Sequence, residues 1–366
     1  MGVFENKASV GGFGSLAING TTSQRCVDQA SPEVNHATPL KIAIVGAGIG
    51  GLAVSIGLRR NGHQVHSRFA NEVGAAVHLA PNANGILRRW GIFAEQIGGN
   101  PMNRLIERTS DGQVRQDVDL TIANKRWQHP WHLVHRVNLH DRLKQLAISG
   151  TGIGTPAALH TSSKVVAVDP EKGHLTLQDG STVTADLIIG ADGIYSMTRK
   201  HIQDTKLFSS GKAAFRFLIP RPDAEADPIT APLVKQKNAL SLWFGDDRRV
   251  VMYPCNDNEL LNFVCIHPET ESQATESDGW NKQASIEQVL KVYQNFDPAL
   301  KALVAKADTA KVQVWQLLDM DKLPTWVSGK LALLGDSAHP FTPRTCSFVA
   351  TIKGKEQLKL SKTLQF

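Results

Sequence analysis

The chain has 366 residues, 42% hydrophobic and 20% charged, enough to build a sizeable core and to exclude a low-complexity or fibrous protein. The formal net charge is +6, but Lys353, Lys355, Lys359 and Lys362 near the end are countered only by Glu356, and no Lys/Arg cluster interleaves with aromatic residues, so nucleic acid is not the expected partner. Four cysteines without a CxxC pair exclude a disulfide scaffold and fit reduced thiols in a cytoplasmic protein.

Residues 1–38 are rich in Gly, Ser, Thr, Asn and Gln without apolar period, and read as a disordered leader. A continuous apolar strand follows from Lys41 to Val45, then the turn Gly46-Ala47-Gly48-Ile49-Gly50-Gly51, then a helix that Asn61-Gly62 stops after Arg60. The uncharged run Ile42–Leu58 is short for a membrane span and broken by glycines, and it starts too late for a secretory signal, so no stable membrane anchor is expected. In the strand–turn–helix context Gly46 permits the tight turn, Gly48 lets backbone approach a pyrophosphate, and Gly51 lets helix and strand pack closely. Such a motif is completed by an acid about 20 residues on. Here the second strand, within 63–69, reads as too short and ends in no acid; Glu72 belongs to what reads as the next loop, so the ribose contact is expected to be missing.

Helical spacing returns at Ala83–Trp90 and Val137–Ile148, the latter with Leu139, Leu143 and Leu146 on one face. Lys164–Asp169, Leu175–Leu177 and Thr182–Ala185 alternate as short strands, with Gln178-Asp179-Gly180-Ser181 as a tight turn. Past residue 206 the pattern becomes antiparallel strands at Ala213–Ile219, Leu240–Phe244, Arg249–Tyr253 and Leu260–His267, with Gly245-Asp246-Asp247-Arg248 as a hairpin turn. One helix from about Ser285 to Ala307 and a strand at Lys311–Leu318 complete this block. His129, His132, His135 and His140 crowd one stretch, but their spacing suits no single helix face, so no metal is expected. Trp127, Trp131, Trp243, Trp315 and Trp326 read as core or pocket wall.

Two further glycine segments, Gly190-Ala191-Asp192-Gly193 and Gly335-Asp336-Ser337-Ala338-His339-Pro340, join the first in an order that resembles the group A FAD-dependent monooxygenases of the salicylate-hydroxylase-like kind, found in fungal aromatic metabolism. The resemblance spans about residues 40–344 and also rests on Gly74-Ala75-Ala76 with Pro81-Asn82-Ala83, on His135-Arg136-Val137-Asn138-Leu139, and on Ser196 and Arg199 after Asp192-Gly193. It implies an α/β fold: a Rossmann-like FAD-binding domain at 39–205 and 325–344, with a mostly antiparallel substrate domain inserted at 206–324 and an atypical tail at 345–366. It implies Gly46, Gly48, Gly51, Gly74, Ala76, Arg136, Asp192 and Asp336 as cofactor-binding residues, and Arg216 as the active-site arginine facing a phenolate or carboxylate. For Arg136 a helix-start surface arginine, for Asp192 a capped turn, and for Arg216 an outward-facing strand residue are the alternatives. NAD(P)H would reduce FAD, dioxygen would be activated on the reduced flavin, and one oxygen atom would pass to a small aromatic ring.

The chain departs from that family after Pro343, where a Gly-containing turn and further helices are usual and Arg344-Thr345-Cys346-Ser347-Phe348 stands instead. With the shortened second strand, this reads as a C-terminally truncated member. A catalytically impaired flavin-binding protein is therefore the alternative function, and a nicotinamide-dependent dehydrogenase using only the first loop is a further one.

Overall fold

The runs Lys41–Val45 (β1), Leu187–Gly190 and Leu331–Leu333 are short, apolar and nearly uninterrupted, the pattern of strands covered on both faces. In the computed structural model they lie side by side and parallel, in the order Leu331–Leu333, Leu187–Gly190, β1. Gln64–Phe69 (β2) and Ala158–Thr161 extend this sheet, and Val327–Ser328 forms its antiparallel edge. The structure describes residues 38–69, 76–161, 163–272 and 282–340, all but Thr38 within the unit Pro39–Phe366. The expectations for the leader, Glu72, Gly74, Ala75 and the residues after Pro340 lie outside the described residues. β2 corrects one expectation: it is six residues long and pairs with β1 from Lys41↔Gln64 onward, because β-pairing tolerates polar residues that strand propensity disfavours.

The helix Ile49–Arg60 (α1) starts at the first glycine turn and packs against the helix Arg136–Ile148. Arg59 locks the two together. Its fully buried guanidinium donates to the carbonyls of Leu146 (2.7 Å), Ala147 (3.0 Å) and Ser149 (2.9 Å), acceptors that a helix end leaves open, and to Gly154 O (2.8 Å) in the loop beyond.

The second large sheet has eight strands, in the order Lys282–Gln283, Gln313–Met320, Leu207–Pro220, Leu260–Pro268, Arg249–Cys255, Ala239–Phe244, Arg104–Thr109, Val114–Asp119. The expected hairpin turn closes with Gly245 N donating to Arg248 O at 2.9 Å. The last two strands come from residues 104–119, far upstream of the boundary expected at 206, because Ala239–Phe244 offers its free edge to Arg104–Thr109 in parallel. The single helix expected over 285–307 is two, Ile286–Val292 and Pro298–Val304. Pro298 disfavours a helical conformation at Asp297, which instead caps the new helix by accepting from Ala299 N at 2.9 Å.

Along Leu207–Pro220 the sheet's two faces separate cleanly. Ala213, Phe215, Phe217 and Ile219 pack under those two helices with Phe263, Trp243 and Met252. The other face carries Leu218, Val264, Val251 and Tyr253 toward Ala76 and Trp131.

One buried and one half-buried histidine tie stability to pH. His267 is fully buried, its ring stacked on Phe215 at 4.3 Å and its Nδ1 donating to Cys265 O at 3.0 Å. Burial pulls its pKa down to about 4 against the opposing Cys265 hydrogen bond and Glu271, with Arg248 and Lys212 adding to the depression; burial likewise brings His78 to about 4. A depressed histidine contributes stability that is complete above its unfolded pKa near 6.5 and is lost as pH falls toward the folded value. Lowering pH from 7 to 5 is therefore expected to remove about 2 kcal/mol per histidine. Urea unfolding at the two pH values checks this, and His267→Phe should remove about half of the loss; an unchanged pH slope in that variant would refute it.

Candidate active site

Because the three parallel strands are neighbours, the turns leaving their carboxyl ends emerge side by side, the usual place for a ligand on such a sheet. The contacts between these turns are direct. Gly46 has φ +104°, and a Cβ there would lie 2.2 Å from Ala191 O, so only glycine lets the first turn close on the second. A Cβ on Gly51 would lie 2.1 Å from Gly46 O, which makes α1 equally intolerant of a side chain at that point. The second turn meets the third through Gly193 N, which donates to Ser337 Oγ at 2.9 Å.

Arg199 secures that junction. It is 3% exposed and donates to Ser337 O, Asp336 O and Ile194 O, each at 2.8 Å. Burial lowers its pKa, and Asp192 and Asp336 oppose the shift. The sequence marked Arg199 only as part of a family pattern; the two targets that join it to the third turn lie 137 and 138 residues away, so no local signal exposes the clamp.

Asp192 turns out to cap its own turn. Its carboxylate accepts from Ser196 Oγ (2.7 Å), Thr198 Oγ1 (2.7 Å), Met197 N (2.8 Å), Thr198 N (3.0 Å) and Ser337 Oγ (3.1 Å). Five donors fill the acceptor positions of one carboxylate, so the Asp192 side chain shapes the turn it caps. Asp336 is the opposite case: its carbonyl is held by Arg199, its side chain is exposed, and no described residue hydrogen-bonds the carboxylate.

Gly48 is the N-cap of α1, with open space around the position a Cβ would take, no side-chain cap and no acid in the first helical turn. An uncapped helix start beside a side-chain-free residue fits a phosphate group, whose charge the helix dipole favours. Ala76 is buried at the start of Ala76–Leu79 (β3), where its carbonyl accepts from Tyr253 Oη at 3.0 Å. Arg136 is half-buried at the first position of its helix.

Arg216 lies on the sheet face that carries Leu218, Val264 and Tyr253, which rules out the outward-facing alternative. Its guanidinium stacks on Trp315 at 4.4 Å. No described residue pairs with it through a hydrogen bond or a carboxylate, and its Nε is buried without an acceptor. Burial lowers its pKa first; Tyr253 opposes that shift and Arg136 adds to it. A largely buried guanidinium near a second arginine, with an indole and the Tyr253 hydroxyl beside it and no carboxylate, suits an anionic group. His78 meets Tyr253 edge-on at 4.7 Å on the same side.

The four crowded histidines disperse. His132 and His135 sit on the strand His132–His135, and His140 on the following helix, its Nε2 donating to Ala47 O at 2.8 Å. Among the described residues, no group of three or more His, Cys, Asp or Glu is placed to hold a metal ion. No described helix is long and apolar enough to cross a membrane.

The FAD binding domain family matches residues 39–347. Hispidin-3-hydroxylase of Neonothopanus nambi is 32% identical over 322 residues, covering 83% of this chain and 75% of that protein. The 3-hydroxybenzoate 6-hydroxylase 1 of Aquipseudomonas alcaligenes is 30% identical, covering 82% and 74%. Among solved structures, a salicylate hydroxylase substrate complex shares the fold with a TM-score of 0.68 at 23% identity, covering 83% and 74%. Three converging glycine turns and these relatives lead to one conclusion: the chain belongs to the FAD-dependent monooxygenases, oxidoreductases that bind FAD.

Proposed function

We propose that this chain hydroxylates a small phenolic ring, using NAD(P)H and dioxygen, in the cytoplasm. The observation that carries the reading is Arg216, a largely buried cation on the inner face of the eight-stranded sheet with no hydrogen-bond or carboxylate partner among the described residues. FAD supplies the electron transfer and the oxygen activation. The protein's own tasks are narrower. Arg216 and Trp315 hold the substrate's anionic oxygen and its ring, and Tyr253, Leu218 and Val264 exclude water beneath it. Gly46, Gly48 and Gly51 would accommodate the pyrophosphate, Asp336 the ribityl–phosphate region, and Ala76, with Gly74 outside the described residues, the flavin edge. Arg136 would lie against the flavin, and Asp192 would act through the turn it caps.

The cofactor domain takes in 39–205, apart from the strands Arg104–Thr109 and Val114–Asp119, and 325–344 in this reading, and the substrate domain takes in 206–324 together with those two strands.

The purified protein should be yellow, and an added phenol should accelerate NAD(P)H oxidation under air. With isotope-labelled dioxygen, one labelled oxygen should appear in the product. Bound flavin whose NAD(P)H oxidation ignores every phenol would favour the impaired flavin-binding protein instead. A colourless nucleotide-binding protein would favour the dehydrogenase.

A further inference from the structure

We infer that His140 is a positioning residue for FAD: it fixes the peptide plane that aims the Gly48 N–H at the cofactor's pyrophosphate. His140 is 1% exposed on the inner side of the helix Arg136–Ile148, and its Nε2 donates to the carbonyl of Ala47 at 2.8 Å. Ala47 and Gly48 share one peptide unit. A trans peptide is planar and carries its C=O and N–H on opposite sides, so holding the carbonyl toward His140 directs the N–H away from it. On the far side of that peptide the Gly48 N–H has no hydrogen-bond partner among the described residues, and Gly48 has open space where a Cβ would stand. The same point is the start of α1, which lacks a side-chain cap and an acid in its first turn.

The first glycine turn is therefore held from three directions. Ala191 closes on Gly46, Gly51 packs on the Gly46 carbonyl, and His140 takes the carbonyl of Ala47. The first two contacts set where the backbone runs. Only the third sets the rotation of the Ala47–Gly48 peptide, and a pyrophosphate oxygen reads that rotation through a hydrogen bond. Without His140 the buried carbonyl loses a donor and the peptide is free to turn.

The inference rests on FAD binding and not on the identity of the ring that is hydroxylated. Its test compares His140→Leu with His140→Gln in the full-length holoenzyme. Dilution, with flavin fluorescence as readout, gives the FAD dissociation constant, and phosphorus NMR of bound FAD reports the pyrophosphate directly. His140→Leu should weaken FAD binding about tenfold, the effect of one lost hydrogen bond. It should shift the pyrophosphate signals and leave KM for the phenol within about twofold. His140→Gln, whose amide can still donate, should recover most of the affinity and the native signals. Native FAD affinity and unmoved phosphorus signals in His140→Leu, with only a lower melting temperature, would reduce His140 to a core residue. If His140→Leu does not fold, His140→Asn, polar but shorter, takes its place: weakened FAD binding in folded protein supports the inference, and unchanged binding overturns it.

Discussion

Replacing Arg216 by methionine is expected to lower kcat/KM for a phenol at least about 100-fold while making the folded protein more stable. The two effects share one cause. Arg216 is a largely buried guanidinium, with its Nε unsatisfied, Trp315 stacked on it and no carboxylate beside its charge among the described residues. Burying an unpaired charge is unfavourable to the fold, so methionine, which keeps most of the volume and drops the charge, should stabilise by roughly 1 kcal/mol or more. The same unpaired charge is what an anionic substrate oxygen would find on entering. FAD affinity should change little, because the turns that meet at Gly46, Ala191 and Ser337 do not include Arg216. Steady-state kinetics and urea unfolding of the variant provide the check. A variant that is both less stable and fully active would mean that Arg216 is a structural residue and that the substrate charge is met elsewhere.

Arg199→Met is expected to act in the opposite sense, losing stability and FAD together. Its side chain satisfies three carbonyls at 2.8 Å, one in the second turn and two in the third. Removing it leaves buried acceptors without donors, each worth about 1–3 kcal/mol, and separates the two turns. A loss of roughly 3 kcal/mol in urea unfolding follows, with FAD released at concentrations where the parent protein retains it. Lysine should rescue poorly, since a single ammonium does not reproduce the guanidinium fork. A folded Arg199→Met protein that binds FAD as the parent does would show that the third turn is held by its strand alone.

The most legible parts of this molecule were those whose physics is local. A glycine that must adopt φ +104° leaves a mark in the sequence, and so do an apolar run covered on both faces and a hairpin turn. The strands of the large sheet between 207 and 268 were therefore readable one by one. The reading failed where a partner overrode propensity. β2 extends through six residues with little strand character because β1 and Ala158–Thr161 pair with it on both sides. The strands of 104–119 were missed because nothing nearby in the chain signals that Ala239–Phe244 is their partner.

The sequence by itself determined the family, the cofactor, the three turns and the presence of an arginine on a strand of the second sheet, since each is encoded in a few consecutive residues. The tertiary structure decided what those residues do. It turned Asp192 inward onto five donors, sent Arg199 across to a turn 138 residues away, set His140 against a carbonyl 93 residues away, and chose the covered face for Arg216. Alternation fixes which residues share a face of a strand, but which face is closed depends on what packs against it, and that is settled only when distant segments meet.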